Sequence, residues 1–108
     1  MQVGSDLDGE AENDGSGRSV ALTADGNRVA IGAPWNGADF LSQGHVRIYD
    51  WTGSQWMQVG YDLDGEASEN YSGWSVALSE DGNRVAIGAP GNDFSSGHVR
   101  IYDLGAFS

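Results

Sequence analysis

Two acidic clusters and two histidines have the strongest claim to chemistry in this sequence. Asp6-Leu7-Asp8-Gly9-Glu10 recurs as Asp62-Leu63-Asp64-Gly65-Glu66. Alternate carboxylates beside a glycine bend are hard oxygen ligands of the kind calcium takes, but calcium wants about six to eight oxygens, and the spacing departs from the EF-hand loop. With no sixth ligand evident, the motif reads instead as a solvated turn in which Asp caps backbone N–H groups. His45 and His98 each open an identical segment, His-Val-Arg-Ile-Tyr-Asp. Neither sits in an H-x-H or H-x-x-E pattern that would bring companion ligands, so both read as structural hydrogen-bonding groups. No metal-ligating, catalytic or cofactor-binding residue is assigned, and no cofactor is expected.

The other reactive types are just as quiet. No Ser, His and Asp grouping stands apart from the repeated framework, which argues against an enzyme. Cysteine and lysine are absent, which excludes disulfides, thiolate metal sites and lysine Schiff-base chemistry. Arg28 with Arg84, and Arg47 with Arg100, read as strand-edge partners of the many carboxylates rather than as anion sites. Asn70-Tyr71-Ser72 fits a glycosylation acceptor, a triplet common by chance. Exposed aromatic faces stack on sugars, so Trp35, Trp51, Trp56, Trp74, Tyr61 and Tyr71 raise a carbohydrate-binding reading. Only Trp35 and Tyr71 fall in loops, and neither is matched by an aromatic in the other copy, so packing is the better reading.

Sixteen Asp and Glu against five Arg give a formal net charge of −11. Such a surface repels phosphate backbones, so nucleic acid is not an expected partner. No apolar run approaches the roughly 20 residues needed to span a bilayer, and the first ten residues lack the basic and apolar regions of a signal peptide.

The elements that position these residues come from a duplication. Met1–Pro34 reappears as Met57–Pro90 at a constant shift of 56 residues, and Gly44–Asp50 as Gly97–Asp103 at a shift of 53. The difference lies in the loop that follows Pro34 and Pro90, where insertions cost least. Within the first copy, Ser19–Thr23 and Arg28–Ala33 alternate apolar and small residues with the period of two expected of strands. Ala24-Asp25-Gly26-Asn27 between them is a tight hairpin turn. His45–Trp51 and Gln55–Gly60 make a second hairpin about Thr52-Gly53-Ser54. The unit is a meander of four short antiparallel strands. Repeated at roughly 40 to 55 residues, such a meander signals a β-propeller blade, which cannot bury its own faces and needs neighbours.

Ser16–Pro34 and Ser72–Pro90, each followed by a Gly-His-Val-Arg-Ile-Tyr-Asp strand, resemble the FG-GAP repeat, the blade of the integrin α-subunit propeller. Gly32-Ala33-Pro34 and Gly88-Ala89-Pro90 match its Gly-Ala-Pro element, while Ser16-Gly17 and Ser72-Gly73 stand where Phe-Gly is typical. The resemblance implies an all-β propeller fold and says little of function. The family's D-x-D-x-D-G calcium loop is not carried over. Here Thr23–Asn27 and Ser79–Asn83 are hairpin turns too short to supply the ligand set.

The phase of the repeat completes the expectation. Residues 1–56 hold a fourth strand and then strands one to three with the start of another fourth; residues 57–108 hold the fourth strand and strands one to three. The N-terminal strand is therefore expected to complete a unit of a neighbouring copy, in a head-to-tail contact that closes into a ring. Two blades per chain give six from a trimer or eight from a tetramer. The expected role is a structural, self-assembling module, a natural or engineered propeller segment whose partner is itself. The alternative is a carbohydrate- or protein-binding propeller using the loops Trp35–Gln43 and Gly91–Ser96.

Overall fold

The computed structural model describes residues 1–9, 14–35, 44–65, 71–90 and 97–104. The alternating pattern folds as expected into antiparallel sheets. β1 (Ser19–Leu22), β2 (Arg28–Ala33), β3 (His45–Trp51) and β4 (Trp56–Gln58) follow one another across the first sheet. The second sheet is β6 (Ser75–Leu78), β7 (Arg84–Ala89) and β8 (His98–Asp103) in the same order. Among the described residues, no helix is long and apolar enough to cross a membrane.

The turns obey local chemistry. Asp25 Oδ1 accepts from the Asn27 amide at 2.9 Å and from the Thr23 hydroxyl at 2.8 Å, while Gly26 takes a φ of +75° that a side chain would resist. Asp81 does the same for Ser79–Asn83, at 2.9 Å to Asn83 and 2.8 Å to Ser79.

One element differs from expectation. Leu63–Asp64, read from sequence as part of a solvated turn, forms a short strand, β5, that pairs β3 beyond the end of β4, with Leu63 opposite Val46 and Asp64 opposite His45. Leu63 is buried, and the apolar area it hides outweighs the turn preference of its acidic neighbours. The first sheet thus has five strands where four were expected. β4 completes the first sheet as the expected partner of β3, and β5, which lies within the second copy, joins the same sheet.

Register decides which face is which. Ser19 lies opposite Gly32 and Ala21 opposite Ala30; Gly32 and Ala30 in turn face Val46 and Ile48. This small-residue face of the first sheet carries the core side chains Ala30, Val46, Ile48 and Leu63. The second sheet meets it with Val85 and Ile87, flanked by the half-buried Val76, Leu78 and Tyr102, and buried Leu104 joins the same cluster. The core is therefore the layer between two sheets, as a stacked-sheet architecture requires. Small residues let the backbones close: a Cβ on Gly32 would strike the Gly73 carbonyl oxygen, and one on Gly44 would strike Ser72.

Candidate functional site

The Asp62-Leu63-Asp64 motif is positioned by β3 and β5. Arg47 grips Asp62 with two parallel bonds, Nε to Oδ1 at 2.9 Å and Nη2 to Oδ2 at 3.1 Å, and Gln58 Nε2 adds a third at 2.6 Å to Oδ1. These hydrogen bonds, those of Arg47 first, hold the Asp62 carboxyl below the usual carboxylate range, and Asp62 raises the Arg47 guanidinium above its ordinary value.

Beside this fork, buried His45 points Nδ1 towards Asp62 Oδ2 at 3.8 Å and Asp64 Oδ1 at 4.0 Å. The structure thus gives His45 the companions that sequence spacing did not reveal. One ligand atom from each of the three residues falls within 4.8 Å of the others. For a cation the set fits poorly. Both Asp62 oxygens already accept from a guanidinium occupying the same space, and three donors fall well short of the ligand count of calcium. Chemically the cluster is a strap that fastens the Asp62–Asp64 segment to β3.

The same motif at the N-terminus keeps two features of that arrangement. Gln2 Nε2 donates to Asp6 Oδ1 at 2.8 Å, as Gln58 does to Asp62. Gly4 has a φ of +76° and Gly60 of +70°. The Val3 carbonyl accepts from Trp56 Nε1 at 3.0 Å, and among the described residues Met1–Gly9 belongs to no strand.

The layer between the sheets is the other candidate surface, and polar groups fix its register. Ser19 Oγ donates to the Gly73 carbonyl at 2.8 Å, and Arg28 Nη1 to the Gly82 carbonyl at 2.7 Å. The remaining Arg28 nitrogens hold Asp50, Nε to Oδ1 at 2.6 Å and Nη2 to Oδ2 at 2.8 Å. Arg28 and Arg47 are thus carboxylate partners, as expected. Arg28 also spans the sheets, which sequence could not reveal because the acceptor is a backbone carbonyl of the other copy.

Side chains at equivalent places in the two copies have opposite fates at this layer. Val46 and Ile48 are 0% and 1% exposed, whereas Val99 and Ile101 are 66% and 68% exposed. Val20 and Leu22 are 62% and 61% exposed, whereas their counterparts Val76 and Leu78 pack on the core. Each sheet therefore has one face in the layer and one outside it. The outer faces belong to the sheet ends that duplicate the two halves of the buried contact.

The four tryptophans and Tyr71 make ring contacts with one another, whereas Tyr61 is 83% exposed. Trp35 and Tyr71 both meet Trp74 edge-on, with ring centroids 5.7 and 6.4 Å apart, and the Arg18 guanidinium lies 4.4 Å over the Trp74 ring. Trp51 and Trp56 form a second pair at 5.3 Å. Residues 36–43 and 91–96, the body of the loops expected to carry any sugar site, lie outside the described residues, as does Asn70.

Residues 62–102 match the family model of the FG-GAP repeat. The matched stretch runs from the Asp62 strap through β8 and is nearly repeated by Asp6–Tyr49. No curated protein matches the chain.

Proposed function

We propose that this chain is a non-enzymatic, self-assembling β-propeller module, each copy supplying two blades and several copies stacking head to tail into a closed ring. The observation that carries the reading is the contrast between Val46 and Ile48, sealed in the sheet-to-sheet layer, and the identically placed Val99 and Ile101, which lie open. The surface complementary to Val99 and Ile101 is the Val20 and Leu22 face, because Val76 and Leu78 already fill that role inside the chain. One copy's second sheet and the next copy's first sheet therefore carry the two halves of a contact whose geometry the chain contains once. Exposed apolar surface of this kind marks an interaction site, and a heterologous, head-to-tail contact closes a ring when its rotation permits. With two units per copy, three or four copies give six or eight blades.

Strand exchange belongs to the same proposal. Met1–Gly9 repeats Met57–Gly65 with a single difference, Ser5 for Tyr61. In the first sheet, Trp56–Gln58 and Leu63–Asp64 line the outer edge of β3; among the described residues no strand lines that edge of β8. Such an edge accepts a further strand, and the N-terminal segment of another copy has the matching sequence. Trp35 and Tyr71 each pack edge-on against Trp74, which gives the carbohydrate-binding alternative less support.

Ile101→Lys tests the proposal. Ile101 is exposed in a single chain, so the variant folds normally, while burial of an unpaired ammonium blocks stacking. Light scattering should then give the mass of one chain. A variant that retains the mass of the wild-type oligomer would overturn the reading.

A further inference from the structure

We infer that Asp6 of one copy and Arg100 of the next form the bidentate latch that fixes strand exchange, an inference that rests on the self-assembly reading above. The template is the Arg47–Asp62 fork, whose two residues recur as Arg100 and Asp6 in the identical segments His-Val-Arg-Ile-Tyr-Asp and Asp-Leu-Asp-Gly.

Each half of the second latch shares local features with the first. On the acceptor side, Gln2 donates to Asp6 as Gln58 does to Asp62, and Gly4 adopts the left-handed φ of Gly60. On the donor side, Arg100 Nη1 lies 3.4 Å from the Tyr102 hydroxyl, and the Arg47 guanidinium is likewise hydrogen-bonded to the Tyr49 side chain. A guanidinium and a carboxylate in a fork add geometric specificity that apolar faces lack. The latch selects one register. Leu63 opposite Val46 and Asp64 opposite His45 translate into Leu7 opposite Val99 and Asp8 opposite His98 of the neighbour. It also selects a partner, because the acidic surface of a second copy repels at most other places, and charge complementarity discriminates among encounters.

Charge reversal and cross-linking test the latch. Asp6 and Arg100 are exposed in a single chain, so Asp6→Arg and Arg100→Asp leave the fold intact, which circular dichroism verifies. Either substitution alone should raise the concentration at which the oligomer dissociates by about tenfold or more, and the two together should restore most of the loss. The chain has no cysteine of its own, so a Leu7→Cys, Val99→Cys variant reports this register alone. Directly opposed strand residues lie within disulfide reach, and oxidation should give covalent multimers on a denaturing gel. Single reversals that assemble like the wild type, a double reversal no better than the singles, or a disulfide found only within one chain would each overturn the latch while leaving face-to-face stacking standing. A wild-type chain that is monomeric at all concentrations overturns the assembly reading itself.

Discussion

Arg28 reaches across the sheet-to-sheet layer and donates to the Gly82 carbonyl at 2.7 Å while its other nitrogens hold Asp50 in its own sheet. One side chain thereby couples strand pairing to sheet stacking. Removing it leaves Asp50 without its guanidinium and the Gly82 carbonyl without that donor. Arg28→Ala should lower unfolding free energy by about 1.5–3 kcal/mol in urea titrations. Arg28→Lys should recover only part, because an ammonium cannot reproduce the fork. Unchanged stability in Arg28→Ala would show that the bridge contributes nothing.

Ile48 and Ile101 offer a comparison at equivalent positions of the two copies. Ile48→Ala removes a sealed core side chain and should cost about 2–5 kcal/mol. Ile101→Ala, measured in dilute monomer, should stay within about 0.5 kcal/mol of the parent, as surface substitutions do. The same substitution should weaken assembly. Equal costs for the two in the monomer would contradict the assignment of faces.

Gly32 and Gly88 separate the same two roles through the backbone. A Cβ on Gly32 meets the Gly73 carbonyl in the turn that leads into β6, so Gly32→Ala should destabilise the single chain by roughly 1–3 kcal/mol. On Gly88 the nearest obstruction is the rotatable Ser75 hydroxyl of its own sheet. Gly88→Ala should therefore be mild in the monomer yet impair stacking of copies, read as a lower oligomer fraction in sedimentation.

Acid should weaken the chain through Asp62. Its carboxyl is held below the usual range by the bonds from Arg47 and Gln58, so the folded chain binds a proton less readily than the unfolded one. Stability from this group is fully present well above the unfolded value of about 3.9 and is lost as pH falls through the lower folded value. Asp62→Asn removes that dependence. Stability curves from pH 6 downwards, on the order of three units, should fall more steeply for the parent than for the variant. Parallel curves would place the group outside the linkage.

Much of the fold was legible because alternation with a period of two and turn chemistry act locally. Val20 and Leu22, Val29 and Ile31, and the Asp25-Gly26 and Asp81-Gly82 turns all stand where such rules put them. Leu63 did not, because a two-residue strand carries no periodicity and its burial depends on β3. The His45, Asp62 and Asp64 cluster was hidden for the same reason, since register across β3 and β5, not spacing along the chain, brings the three together. Which of two identical strands is buried is invisible to any reading of one copy, because Ile48 and Ile101 differ only in what is stacked against them.

The mass of the assembled wild-type chain tests the central claim most directly. Native mass spectrometry at neutral pH should show one closed species at three or four times the 11.4 kDa of a single chain, stable to roughly a hundredfold dilution. A single-chain mass throughout, or an open-ended ladder of sizes growing with concentration, would contradict it.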